Sequence, residues 1–500
     1  MSSVESVHVY TDRGVPAACR AARGAWRHWA RLDPHERAQV VGRAARILAA
    51  EAAPIAEAIG IASGRSAAEV WSAEIVPTLD ALRWLAHRGP RALGSQALGR
   101  SWLQWYFRAG RHRLHWEPYG VVGIVTPGNS LLFLAATQVA AALMAGNAVI
   151  WKPAPAGSAV AFHTARIFSR AGLPPGLLHV AAGGAETARD VVGEGVDKLF
   201  FTGGASAGIA LYRLQAERGR PAVLELSGRH VAAVLADADL DLAASGIAWG
   251  KLANGGRNCV STQLVLVERP AYAEFVDLAR AALASVPPGD FHAPAPGSEA
   301  ACRRDELVSD ALAHGARLIE HAASGAILVA DVSPGMRVVE EEIQGPVLAV
   351  AAVESQAEAV AWINAGGGRL SASVWTGDLA QGEALARRLD AGQVWINEEL
   401  APVAQPEVTL AGRGESGFGA SRGLAGLMEM VRPKVISRLP ARGRRRHYFP
   451  TAPGVEGMFR ATITPEILKR PQELKLSLND VVTLASLAEA EAADGKEREL

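Results

Sequence analysis

Residues 119–228 constrain the fold more than any other part of the chain, because short, wholly apolar runs alternate there with amphipathic stretches of helical period. YGVVGIVTP (119–127), NAVIWKP (147–153), LLHVAAG (177–183), KLFFTGG (198–204) and AVLELSG (222–228) predict strands. Residues 131–145, 158–171, 185–193 and 206–217 predict the helices between them. A strand without a polar face must be covered on both sides, and helices of this length are the crossovers that parallel pairing requires. The expected class is α/β, with a doubly wound parallel sheet. Ligands of such sheets bind beyond the carboxyl ends of the strands. Those ends carry Thr126-Pro127-Gly128-Asn129, Lys152-Pro153, Thr202-Gly203-Gly204 and Glu225-Leu226-Ser227-Gly228, each polar or glycine-rich after an apolar run.

A second alternation follows, with helices over 240–254, 271–285 and 379–390 and strands over 263–268, 346–353, 370–376 and 392–399. It predicts a second doubly wound α/β domain. The first hundred residues read mainly as helices. Between them, SWLQWYFRAGRHRLHWEP (101–118) alternates aromatic and basic residues around Ala109-Gly110, as a protruding β-hairpin would.

Charge and cysteine usage remove several classes of function. Lys plus Arg and Asp plus Glu number 51 each, so no bulk field exists to hold nucleic acid or an acidic membrane. The single basic run RGRRRH (442–447) has no interleaved aromatics and reads as a solvated or subunit-contacting segment. No window approaches 18 uninterrupted apolar residues, and the first residues lack the order of a signal peptide. Three scattered cysteines, Cys19, Cys259 and Cys302, form neither a disulfide framework nor a zinc motif. A cytoplasmic protein without a resident metal is expected.

Cys259 sits in ANGGRNCVST, behind two glycines and an Arg-Asn pair, whereas a packing cysteine sits in an apolar run. The pattern reads as a presented thiol, although a cysteine standing alone in such a loop is more often incidental. Glu225, in LELSG, places a carboxylate directly after an apolar run, where it is costly unless hydrogen-bonded, ion-paired (with Arg229) or functional. Asn129 could cap the helix that follows or donate its amide to an oxyanion. FTGGASAG (201–208) also has two readings. A strand–glycine–helix turn offers free N–H groups to a pyrophosphate. Gly204-Ala205-Ser206-Ala207-Gly208 also fits G-x-S-x-G, with Ser206 as a hydrolase nucleophile and His230, His314 or His321 as base.

Taken in order, these motifs resemble the aldehyde dehydrogenase superfamily over roughly residues 15–440. EPYGVVGIVTPGNS, AGNAVIWKPAP, GLPPGLLHVAAG, KLFFTGGASAG, LELSGR, GGRNC, EEIQGPV (341–347), GQVWIN and GESGFGASRG follow in the family's sequence. The resemblance implies oxidation of an aldehyde to a carboxylic acid with NAD or NADP. Cys259 would be the nucleophile, Asn129 an oxyanion donor and Glu225 the base that activates water. Thr126, Lys152, Gly203, Gly204, Gly208 and Leu226 would contact the cofactor, with Glu342 on its nicotinamide ribose. It further implies a dinucleotide-binding domain (1–100 and 119–227), a catalytic thiol domain (228–428) and an oligomerisation element (101–118 and 429–445) serving a homodimer or homotetramer. Residues 446–500 form an extension without a family counterpart. Gly128 stands where the family has tryptophan, Gly204 where serine is common, Arg257 where glutamine is usual and Gln344 where phenylalanine packs near the nicotinamide. Pro155 replaces the glutamate of many NAD-preferring members, which removes repulsion against a 2′-phosphate. A low-turnover structural relative is the alternative, and the presence of Glu225 ranks the coenzyme-A-acylating branch lower. Apolar Phe133, Leu134 and Val260 near the expected pocket favour an aliphatic or aromatic aldehyde over a charged one.

Overall fold

The computed structural model describes residues 9–10, 14–99, 111–287, 297–322, 324–439 and 441. It has two compact units, one of Met1–Ser95 with His115–Lys434 and one of Gln96–Leu114 with Val435–Leu500. Both large sheets lie in the first unit.

The first sheet has seven strands in the order Val9–Tyr10, Leu178–Ala181, Ala148–Lys152, Val121–Val125, Lys198–Gly203, Ala222–Leu226 and Gly417–Phe418. All its pairings are parallel except the last. Every residue of Val121–Val125 and Ala148–Lys152 is buried, as runs without a polar face demand. Helices Phe133–Met144, Ser158–Arg170, Ala185–Gly193 and Ala205–Ala216 make the crossovers, each within two residues of the sequence expectation. Chain order reverses about Val121–Val125, whose neighbours are Ala148–Lys152 and Lys198–Gly203. Such a reversal opens a crevice at the carboxyl ends. The loop carrying Asn129 and the turn carrying Gly203 and Gly204 leave the sheet there.

The second sheet has eight strands: Arg317–His321, Ile327–Ala330, Val347–Val353, Thr262–Glu268, Arg229–Val234, Gly368–Trp375 and Gln393–Ile396 in sequence across it, with Arg413–Gly414 paired to Gly368–Trp375. Five of the six pairings along that sequence are parallel. Strand Arg229–Val234 is central, yet the sequence reading passed over it. Only Ser227 and Gly228 separate it from Ala222–Leu226, so two strands of different sheets read as one run with a turn signal at its end.

Residues 100–110 of the expected hairpin lie outside the described residues. Its described part, Arg111–Pro118, is the middle strand of a three-stranded sheet between Val431–Arg438 and Gln96–Ala97.

Candidate active site

Three consecutive residues before the thiol, Asn254, Gly255 and Gly256, have φ of 56°, 61° and 73°. Glycine enters this region freely and other residues rarely do. A Cβ at Gly256 would lie 2.2 Å from the Gly345 carbonyl oxygen, and the Gly345 N–H donates to the Gly256 carbonyl at 3.2 Å. The glycines therefore let the thiol loop lie against the segment carrying Glu342 and Gln344. Cys259 follows at the amino end of strand Thr262–Glu268.

Asn129 does not cap the next helix. Its N-cap is Leu132, and the N–H groups of Leu131, Leu132 and Phe133 donate to the Glu74 carboxylate at 3.1, 3.0 and 2.7 Å. Glu74 comes from the π-helical turn Trp71–Ile75 and is held by buried Arg65 at 2.6 Å. A carboxylate at a helix N-terminus complements the dipole and the free donors together. Released from capping, the Asn129 side chain donates through Nδ2 to the Arg257 carbonyl at 2.9 Å, and Asn254 Nδ2 donates to the Asn129 carbonyl at 2.7 Å. Two loops from different sheets are thus joined by reciprocal bonds. Arg257 tightens the turn further by donating from Nε to the Asn254 carbonyl at 3.0 Å. Glu74 did not stand out in the sequence, because its partners lie 57 to 59 residues away along the chain.

Asn129, Glu225 and Cys259 line one cavity of about 1090 Å³, together with Gly203, Gly204, Leu226, Glu342 and Gln344. Apolar walls come from Phe133, Leu134, Trp249, Val260, Leu400 and Val403. Glu225 accepts from the Thr202 hydroxyl at 3.2 Å through Oε2, the Ser421 hydroxyl also favours its charged form, and among the described residues Oε1 is buried with no hydrogen-bond partner within 3.5 Å. Burial raises its pKa from 4.5 to about 7. The expected alternative of a Glu225–Arg229 ion pair does not form; Arg229 donates instead to the Val339 carbonyl. Burial, with the Glu225 and Glu342 charges, pushes the Cys259 thiol up to about 12, and the N–H groups of Cys259 and Val260 oppose that rise.

Thr126, Lys152 and Gly208 do not line this cavity. Thr126 Oγ1 accepts from Trp151 Nε1 at 3.0 Å, and burial lowers the pKa of Lys152. At Gly208 a Cβ would come within 2.4 Å of Leu226 Cδ2, so this glycine lets its helix sit close to the sheet. Gly204, by contrast, opens helix Ala205–Ala216 with no side-chain cap, and a Cβ there meets nothing within 4 Å. An uncovered helix N-terminus beside open space fits a pyrophosphate.

Ser206 is exposed on the first turn of that helix and lies outside the cavity lining. His230 is committed to Ser371 at 2.8 Å and to Glu399 at 2.8 Å inside the second sheet. His314 is exposed at a helix end, and the side chain of His321 lies outside the described residues. The hydrolase reading fails on this geometry, since a nucleophile needs a base within hydrogen-bond reach. One buried cation was also missed by the sequence reading: Lys251, 1% exposed, whose ammonium has no hydrogen-bond partner among the described residues.

The profile described as Aldehyde dehydrogenase family matches residues 2–436. The chain belongs to this family. Among relatives of the aldehyde dehydrogenase, 4,4'-diapolycopene aldehyde oxidase of Methylomonas sp is 33% identical, covering 83% of this chain and 79% of that one. Benzaldehyde dehydrogenase [NAD(+)] of Pseudomonas putida is 32% identical over 86% of this chain and 89% of that one. The crystal structure of NADP-dependent glyceraldehyde-3-phosphate dehydrogenase from Bacillus halodurans C-125 complexed with NADP superposes at a TM-score of 0.80, with 28% identity and coverage of 86% and 92%. An aldehyde dehydrogenase fold of two parallel-rich sheets is thus shown. The low-turnover and hydrolase alternatives find no support among these proteins.

Proposed function

We propose that this aldehyde dehydrogenase oxidises a bulky, uncharged aliphatic or aromatic aldehyde to the carboxylic acid, using NAD or NADP, through a thiohemiacetal and a thioester on Cys259. The observation that carries the reading is the meeting of one thiol, one carboxylate and one amide, from three separate turns, on a single cavity.

At rest the thiol is protonated, because burial holds it far above neutral pH. Its proton passes to solvent, and the Cys259 and Val260 N–H groups favour the thiolate. The Cys259 sulfur then attacks the aldehyde carbon. Asn129 spends one amide hydrogen on Arg257, and the second, with the Cys259 N–H, meets the oxyanion. The dinucleotide, when bound, supplies the hydride acceptor that converts thiohemiacetal to thioester. The ionised Glu225, free at Oε1, takes a proton from water as that water attacks the thioester, and Cys259 leaves as thiolate. When the cofactor binds, the helix after Gly204 would hold the pyrophosphate, Lys152 and Thr126 the adenosine side, Leu226 the nicotinamide end and Glu342 its ribose. Pro155 starts the turn Pro155–Gly157 without a carboxylate, which leaves NADP admissible.

The apolar walls and the size of the cavity support a bulky uncharged substrate. Strand Val431–Arg438 is exposed beyond its first residue, with Val435 and Ile436 at 54% and 45%, which supports pairing with a second copy as a homodimer or homotetramer. All three cysteines are free, and among the described residues no helix is long and apolar enough to cross a membrane; we place the enzyme in the cytoplasm on the first of these.

The test follows NADH or NADPH formation over a panel of aldehydes. Cys259→Ala should abolish turnover, Glu225→Gln should leave a burst without steady-state product, and Ser206→Ala should be silent. Turnover that survives Cys259→Ala would overturn the reading.

A further inference from the structure

Arg422 has a backbone conformation that an arginine should avoid. Its φ of 63° and ψ of 169° belong to a region that is essentially glycine's own, and a glycine, Gly423, stands directly after it. The residue is 9% exposed and lines the cavity that Cys259 and Glu225 share. Two contacts define its side chain, and one nitrogen is left without a partner. The guanidinium carbon sits 4.4 Å from the centre of the Phe133 ring. Nη2 donates to the Gln405 carbonyl at 3.2 Å. Nη1 is buried and has no hydrogen-bond partner among the described residues.

Glu225 Oε1 is in the same condition, buried and unpartnered. The two residues are brought together by pairing: Gly417 is the antiparallel partner of Glu225, and the Leu226 N–H donates to the Ser416 carbonyl at 3.0 Å. The chain then runs through Ser421 to Arg422. The groups facing Glu225 are the Thr202 hydroxyl from the neighbouring strand, the Cys259 thiol from its loop, and Ser421 and Arg422 from this segment, with Glu342 on the same cavity. Arg422 is the cation among them, and its charge is felt by both Glu225 and Cys259.

A buried, strained and incompletely bonded arginine is an expensive residue to keep. We propose that Arg422 is the positioning residue for Glu225: its guanidinium supplies the counter-charge that holds the buried carboxylate, leaving Oε1 open to take a proton. The inference rests on the reading of Glu225 as general base. Among the described residues no ion pair joins Arg422 to Glu225; Phe133 and the Gln405 carbonyl hold the guanidinium on the shared cavity, so the cation acts through its field and does not occupy the oxygen that must react. Removing it leaves Glu225 with the same burial and no opposing charge, which favours the protonated acid.

The experiment is the pH profile of kcat for wild type, Glu225→Gln, Arg422→Gly and Arg422→Lys, with KM, melting temperature and dinucleotide affinity recorded for each. Arg422→Gly suits the backbone angles and should fold at least as well as wild type. Its acid limb should move to higher pH, and Arg422→Lys should restore most of that shift. The pre-steady-state burst should persist in both. An acid limb that stays in place in folded Arg422→Gly, with only KM changed, would show a purely structural contact to Gln405 and overturn the proposal. Glu225→Gln separates the two claims: if it keeps steady-state turnover and the acid limb, the general-base reading fails, whatever Arg422 does.

Discussion

Lys251 is a fully buried ammonium with no hydrogen-bond partner among the described residues, and burial brings its pKa down from 10.5 to about 7 despite the opposing charge of Glu342. Its folded pKa lies below the unfolded value, so the unfolded chain binds the extra proton between those limits. The cost to the folded state is complete below pH 7 and fades as the pH rises toward 10.5. Lys251→Met keeps the aliphatic stem and removes the charge. We expect it to raise the unfolding free energy at pH 6.5 by about 1–3 kcal/mol, and by less at pH 10, measured by urea denaturation. An equal gain at both pH values would show that desolvation of the ammonium is not the cause. Glu225 shows the same tension from the acidic side, since its buried carboxyl is held up to about 7 by the pocket that is to use it.

At the scale of elements, the thiol loop depends on backbone that only glycine makes comfortable. Gly256→Ala would add left-handed strain to a contact of 2.2 Å with the Gly345 carbonyl. Activity should fall at least about tenfold and the protein should lose about 1–3 kcal/mol of stability, read by kinetics and denaturation. Gly128 is different, because a Cβ there meets only Ala154, at 3.4 Å. Gly128→Trp should therefore fold, narrow the cavity, and raise KM for bulky aldehydes while sparing small ones. Equal KM values across substrate sizes would remove Gly128 from the account of specificity. The strand–helix alternation around these loops was legible in sequence because wholly apolar strands leave little choice of partner on either face. The loops' fastenings were not. Glu74 under Leu131–Phe133 acts across a long stretch of chain, as do Arg422 and Glu225 in lining one cavity, and no local period reports such pairs. The glycines of GGRNC read in sequence as access for the thiol; in the structure Gly256 fits the loop against Gly345.

For the whole molecule, the exposed strand Val431–Arg438 belongs to a proposed contact between copies. Ile436→Lys should shift the enzyme toward monomer in size-exclusion chromatography with light scattering, and an unchanged mass would exclude that edge from the interface. The enzymatic account rests on one covalent event in the shared cavity. Intact-protein and peptide mass spectrometry of Glu225→Gln, mixed with an aldehyde substrate and NAD or NADP, tests it most directly. The account predicts an adduct on the Cys259 peptide with the mass of the aldehyde less two hydrogens, absent when the dinucleotide is left out. A Cys259 peptide that stays unmodified while the dinucleotide is reduced would contradict it.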